Sequence, residues 1–108
     1  MVNIYVNEGN FEKAEIYLRK SINNNPNDAN SYLNLGCVLK EQGKTEEAEI
    51  SLRKSLNLRP KFDLALINLG ATLNELGKKE EAEKFLNRAI EINPNSSMAF
   101  NNLSLIHI

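Results

Sequence analysis

The stretch YLNLGCVLKEQGKTEEAEISLRKSLNLRP, residues 32–60, carries two apolar patterns of helical period, with a glycine between them and a proline at the end. The first pattern has the i, i+3, i+4, i+7 spacing of one helix face and consists of Tyr32, Leu35, Gly36 and Leu39. The second pattern also follows one face of a helix and consists of Ala48, Leu52, Ser55 and Leu56. The stretch therefore predicts two amphipathic helices joined by a short turn.

The ends of these helices are marked by residues that a helix interior disfavours. Gly43 can adopt the left-handed backbone conformation that closes a helix at its C-terminal side. Pro60 ends the second helix, because proline breaks the hydrogen-bond ladder and forces its predecessor out of helical geometry. Asp28 is placed to cap the N-terminus of the first helix. The predicted unit is helix, turn, helix.

The same unit recurs along the chain with a period of 34 residues. The prolines stand at positions 26, 60 and 94, and the turn glycines stand at 9, 43 and 77. Alanine keeps the interval at 14, 48 and 82, and leucine keeps it at 18, 52 and 86 and again at 35, 69 and 103. A second glycine series runs from 36 to 70 and ends with serine at 104. Repetition in so many registers predicts an array of helical repeats.

Small residues predict how the helices pack. Gly36 and Gly70 in the first helices, and Ala48 and Ala82 in the second helices, stand where a large side chain would hold the pair apart. One pair cannot bury both of its faces, so neighbouring units complete the core. We predict one domain over residues 1–108. It comprises a partial repeat at 1–28 (the end of a first helix plus a second helix), full repeats at 29–62 and 63–96, and a first helix at 97–108.

The unit resembles the signature of the tetratricopeptide repeat (TPR) family, through Tyr32-x-x-Leu35-Gly36-x-x-Leu39, Ala48-x-x-x-Leu52 and Pro60. The resemblance covers essentially the whole chain. It implies an all-α fold, a right-handed α-α superhelix of antiparallel helix pairs. The chain departs from the signature in having leucine at 66 for the aromatic residue, leucine at 39 and 73 for tyrosine, and serine at 104 for the last glycine. These size-tolerant changes leave the predicted fold intact.

The composition favours a soluble protein without a polyanionic or membrane partner. The 108 residues carry 13 basic and 14 acidic side chains, and a net charge of -1 supplies no field to attract nucleic acid or an anionic membrane. No apolar run approaches the roughly 20 residues of a membrane span, and the first residues lack the features of a secretory signal. A single cysteine cannot form an internal disulfide. We expect a cytoplasmic protein.

No residues that could converge for catalysis are visible in the sequence. The single cysteine, Cys37, and the single histidine, His107, are far apart, and we interpret both as core residues, His107 on the apolar stripe of the last helix. A zinc site needs about four ligands, and the glycines follow the repeat instead of a phosphate-binding motif. We expect no enzyme, metal site or cofactor. The acidic second-helix residues, such as Glu49 paired with Arg53, are predicted to support their helices on the solvent face.

Three asparagines, Asn34, Asn68 and Asn102, occupy one register of the first helices and are called the asparagine ladder below. Asparagine is a mediocre helix former, so its repetition in mid-helix needs a reason. In proteins that resemble this one, the first helices line a concave groove and this position points into it. Helices packed about 8–10 Å apart would space the amides by roughly three residues of an extended peptide. Each amide can donate to and accept from a peptide main chain.

The same helix phase predicts the neighbours of the ladder in the groove. They are neutral and partly apolar, and comprise Leu33, Cys37, Lys40, Leu64, Ile67, Ala71, Asn74, Met98, Asn101 and Leu105. Repeats that bind the acidic C-terminal tails of heat-shock chaperones resemble this fold, but they place lysine and arginine where this chain has Leu33, Met98 and Asn102. A carboxylate would find too few charge-assisted partners here. We therefore expect an extended, uncharged or apolar ligand.

Several interpretations remain open. We expect the chain to be a non-catalytic protein-protein interaction scaffold with an unidentified protein or peptide partner. The alternative for the asparagine ladder is that it belongs to the family's common Asn-Leu-Gly string and binds only water. The alternatives are a substrate-presenting region of a larger enzyme such as a glycosyltransferase, or a structural spacer. No second helix follows residue 108 to cover Phe100 and Leu103. We therefore expect a fragment of a longer array or end-to-end self-association through the C-terminal helix.

Overall fold

The computed structural model describes residues 9–107, which form six α-helices and no strands. In chain order the helices are α1 (Phe11–Asn24), α2 (Ala29–Glu41), α3 (Thr45–Leu58), α4 (Asp63–Glu75), α5 (Lys79–Ile92) and α6 (Ser97–Ile106). The first helices α2, α4 and α6 begin 34 residues apart, and so do the second helices α1, α3 and α5. The all-α prediction is confirmed. The first-helix remnant predicted before α1 lies outside the described residues.

The turns have the conformations that the sequence predicts. Gly9, Gly43 and Gly77 have φ angles of 73°, 80° and 80°, in the left-handed region that glycine adopts without strain. At the start of α2, the Asp28 carboxylate accepts a hydrogen bond of 3.1 Å from the Asn30 N–H. Each second helix ends two residues before a proline. Local chain chemistry therefore sets the helix boundaries.

Helix packing gives the array two unlike sides. Every helix packs against its neighbours in the sequence, and in addition α2 contacts α4 and α4 contacts α6. The first helices thus form one continuous surface, called the first-helix face, while the second helices form the second-helix face. Within residues 9–107, no helix is long and apolar enough to cross a membrane.

The core consists of the residues that repeat with the period. Ala48 and Leu52 are fully buried, as are their counterparts Ala82 and Leu86. Gly36 brings α2 close to α3, because a Cβ at this position would lie 2.6 Å from the Leu52 Cγ. Glycine is therefore needed where the two helices of a unit cross.

The prediction that Glu49 faces solvent was wrong. Its side chain is only 14% exposed, and it bonds Arg53 at 2.9 Å and Lys78 of the next unit at 3.1 Å. Arg53 reaches in turn to Glu81, 2.8 Å away on α5. Stacking of the units covers the carboxylate and lays a second cation against it. The ion pairs therefore join neighbouring units as well as supporting single helices.

The interpretation of His107 as a core residue was also wrong. The helix phase at the end of α6 turns Ile106 inward, where it is 7% exposed, and leaves the His107 side chain 60% exposed. The imidazole Nε2 lies 3.8 Å from the Glu83 carboxylate. The histidine therefore belongs to the surface at the end of the helix.

Candidate functional site

The asparagine ladder runs across the first-helix face. Asn34 lies on α2, Asn68 on α4 and Asn102 on α6, and all three side chains are exposed or half-buried. Because α4 contacts both α2 and α6, the three asparagines follow one continuous surface. The structure thus brings together residues that are 34 positions apart in the chain.

Two of the ladder amides are held by their own helices. The Asn68 Nδ2 donates to the Leu64 carbonyl at 2.8 Å, and the Asn102 Nδ2 donates to the Met98 carbonyl at 2.9 Å. Such bonds to the carbonyl four residues earlier orient the side chain and explain how asparagine is tolerated in mid-helix. Each amide keeps one N–H and its Oδ1 for an external partner. Asn34 makes no side-chain hydrogen bond within the described residues, so its whole amide is available.

Apolar side chains flank the ladder on α4 and α6. Leu64, Met98 and Leu105 are 43%, 53% and 57% exposed. Asn101 is exposed beside them, and the half-buried neighbours on the same face are Cys37, Lys40, Ala71 and Asn74. The surface therefore combines amides that have free hydrogen-bonding groups with exposed apolar side chains.

Two residues predicted to line the groove lie beneath it. Leu33 is 7% exposed and Ile67 is 2% exposed, and both belong to the core cluster that also contains Ala65 and Ala99. The reason is the contact between successive first helices, which covers the residue preceding each of the asparagines Asn34 and Asn68. Both aliphatic side chains support the first-helix face from below and are not accessible to a ligand.

The first-helix face carries little free charge. The Lys40 Nζ lies 3.6 Å from the Glu75 carboxylate, so the cation predicted in the groove is paired across α2 and α4. Burial raises the pKa of the Cys37 thiol, which therefore stays protonated at neutral pH. Within residues 9–107, no group of three or more histidine, cysteine or acidic side chains could hold a metal ion. The chemistry available on this face is hydrogen bonding and apolar contact.

Comparison with known proteins identifies the type of domain. Residues 5–106 match the family model of the Cilia and flagella-associated protein 70 middle TPR-like domain. No curated protein matches the chain significantly.

Three solved structures illustrate the structural similarity. The first TPR of Spaghetti (RPAP3) bound to the HSP90 peptide SRMEEVD is 26% identical, with a TM-score of 0.95 over 98% of this chain and 84% of that chain. The second TPR domain of human RPAP3, in complex with the HSP70 peptide SGPTIEEVD, is 24% identical, with a TM-score of 0.94 over 99% and 89%. The Arabidopsis OM64 TPR domain is 21% identical, with a TM-score of 0.94 over 99% and 90%. These similarities confirm the TPR fold.

Proposed function

We propose that this chain, which belongs to the family of the Cilia and flagella-associated protein 70 middle TPR-like domain, binds an extended segment of a partner protein on its first-helix face. The observation that carries the proposal is the asparagine ladder, which presents one amide from each of three neighbouring first helices. Helices at ordinary packing distance offer these amides at a pitch of roughly three extended residues. An extended main chain exposes carbonyls and N–H groups along its whole length, so each amide at that spacing can reach one of them.

The relatives support a peptide as the class of ligand. The Spaghetti TPR, 26% identical to this chain over almost its whole length, is a domain bound to a short peptide. The groove of this chain offers a different chemistry from one suited to an acidic peptide, because its one predicted cation, Lys40, is already paired with Glu75. We therefore propose that the ligand is uncharged or apolar.

The side chains beside the ladder define what such a ligand contributes. Leu64, Met98 and Leu105 are exposed apolar groups, and covering each of them would remove apolar area from water. Because the amides bind main-chain atoms, selectivity comes from the residues that contact these three side chains. The preferred segment carries aliphatic or aromatic residues and no carboxylate near the ladder.

Selection from a displayed library of short random peptides tests this proposal. The isolated domain is the bait, and a variant with Asn34→Ala, Asn68→Ala and Asn102→Ala is the counter-bait. We expect enrichment of apolar, uncharged sequences on the parent domain and their loss on the variant. A structural spacer would enrich no sequence, and enrichment of sequences rich in Asp and Glu would contradict the proposed ligand chemistry.

A further inference from the structure

A cleft of about 350 Å³ opens on the second-helix face between α1 and α3. Its floor is formed by α2, and its walls come from α1 and α3; the apolar part consists of Tyr32, Leu35, Leu39 and Ile50. Ile50 is 71% exposed on the wall. The asparagine ladder does not line this cleft, so the cleft has no part in the function proposed above.

The next unit of the array provides an internal comparison. Residue 51 is a serine whose hydroxyl donates to the Tyr32 carbonyl at 2.8 Å, and it is 4% exposed. At the equivalent position one unit later stands Phe85, whose ring lines the cleft between α3 and α5. Ile50 likewise corresponds to Lys84. The cleft between α1 and α3 therefore has a small serine where its counterpart has the Phe85 ring, and its accessible apolar side chains are the half-buried Tyr32 and the exposed Ile50.

The rim of the cleft carries two cations, Arg19 and Lys54, and one carboxylate, Glu47. Arg19 bonds Glu15 at 2.9 Å but lies 3.7 Å from Glu47, whereas the equivalent pair in the next unit is 2.8 Å apart. Lys54, also on the rim, is exposed and has no ion pair within residues 9–107. A carboxylate entering the cleft would meet Lys54 directly and could compete with Glu47 for Arg19.

We propose that this cleft is a second docking site, for a segment of a partner protein that inserts an aliphatic or aromatic side chain and carries a carboxylate beside it. Tyr32 and Ile50 receive the side chain above the buried Leu35 and Leu39, and Lys54 with Arg19 receives the carboxylate. The ligand therefore differs in charge from the uncharged segment proposed for the first-helix face. The two faces can hold different segments at the same time.

A pair of small probes tests this site on the isotope-labelled domain by NMR titration. The probes are 3-phenylpropionate, which carries an apolar ring and a carboxylate, and its neutral amide, 3-phenylpropanamide. We expect saturable shifts of the backbone amides of Tyr32, Ile50, Ser51 and Lys54 with the carboxylate probe. The neutral amide should bind about two- to fivefold more weakly, the range of an exposed ion pair.

Three variants distinguish specific binding in the cleft from nonspecific binding of the probe. Ser51→Phe copies the residue of the next unit and should abolish the shifts. Ile50→Glu changes an exposed residue, so it should fold even if Ser51→Phe does not, and it should also abolish binding of the carboxylate probe. Ile16→Glu makes the same change at the equivalent position one unit earlier, where the side chain is 56% exposed but lies outside the cleft, and it should leave binding unchanged.

Three results would overturn the proposal. They are the absence of saturable shifts at the cleft, equal affinity for the two probes, and shifts that persist in both Ser51→Phe and Ile50→Glu. Substitution of the three ladder asparagines by alanine should leave probe binding intact. Failure of this site and failure of the ladder are therefore distinguishable.

Discussion

Gly70 on α4 and Leu86 on α5 are in such close contact that a Cβ at residue 70 would lie 2.6 Å from the Leu86 Cγ. Leu86 is fully buried within the largest core cluster, so its side chain has no free space to move into. The same relationship holds one unit earlier between Gly36 and Leu52. The crossing of the two helices in each unit therefore depends on the absence of a side chain at one position.

The first prediction concerns this crossing. Gly70→Leu should lower the free energy of unfolding by about 1–3 kcal/mol, because the new side chain forces α4 and α5 apart. Chemical denaturation followed by circular dichroism measures the change. Ser104→Leu is the matched control, since residue 104 has the same register on α6 but is exposed, and it should change stability by less than about 0.5 kcal/mol. Equal stability of Gly70→Leu and the parent would show that residue 70 does not lie in a tight contact between α4 and α5.

A second prediction isolates backbone conformation from packing. Gly77 has a φ of 80°, and no atom lies within 4 Å of a Cβ built there. Gly77→Ala should therefore cost about 1–2 kcal/mol through left-handed strain alone, and Gly77→Asn should cost less, because asparagine tolerates this conformation. Thermal unfolding of the two variants measures the difference. An alanine variant as stable as the asparagine variant would contradict the left-handed conformation of residue 77.

A third prediction concerns pH. Hydrogen bonds from Gln42, Arg19 and Lys44 lower the pKa of Glu15 to about 2, against an ordinary value of 4.5. Since the folded state favours the carboxylate, its contribution to stability is complete above about pH 4.5 and is lost as the pH falls toward about 2. Glu15→Gln should lower stability at neutral pH by about 1 kcal/mol.

Denaturation midpoints at several pH values measure this dependence. Glu15→Gln should lose less stability than the parent between neutral and acidic pH, because glutamine does not titrate. Glu46→Gln serves as the control, because Glu46 is exposed and has no ion pair within the described residues. If stability falls with pH in the same way in the parent and in Glu15→Gln, the hydrogen bonds to Glu15 do not stabilise its carboxylate.

A fourth prediction tests the ligand chemistry with a peptide known to occupy a related domain. The acidic peptide SRMEEVD, bound by the Spaghetti TPR, should bind this chain weakly, because the first-helix face offers no unpaired cation among the residues assigned to it. Met98→Lys combined with Asn102→Arg should raise the affinity about tenfold or more by adding charge-assisted partners. Isothermal titration calorimetry measures both values.

The control for that experiment adds the same charges elsewhere. Asn57→Lys combined with Asn87→Arg places them on exposed positions of the second helices and should leave the affinity for SRMEEVD nearly unchanged. Strong binding of SRMEEVD by the parent chain, equal to that of the Met98→Lys, Asn102→Arg variant, would refute the proposed preference for uncharged ligands.

The sequence predicts features that lie within one unit better than features that lie between units. The 34-residue period, the left-handed glycines and the close approach of the two helices at Gly36 follow from local patterns, and all are present. The burial of Leu33 and Ile67 depends on how far each unit rotates against the next, which periodicity within a unit does not encode. The same holds for the bond between Arg53 and Glu81.

Parts of the candidate site also escape sequence analysis. The register of the ladder is visible as a repeated asparagine, but the bonds of Asn68 and Asn102 to their own helices require side-chain geometry. The cleft beside Ser51 has a sequence signal, since Phe85 replaces the serine one unit later. That signal has no meaning until the helices on both sides of it are placed.

The ladder itself is tested most directly by the affinity of the triple variant for a peptide selected on the parent domain. Asn34→Ala, Asn68→Ala and Asn102→Ala should together weaken binding by about tenfold or more while leaving the helical content unchanged, because the amides are on the surface and each lost main-chain bond costs about 0.5–1.5 kcal/mol. Asn23→Ala, Asn57→Ala and Asn87→Ala, at three exposed positions of the second helices, provide the matched control and should retain the affinity of the parent. Equal affinities of the ladder variant, the control variant and the parent, with all three folded, would contradict the claim that the ladder holds the peptide.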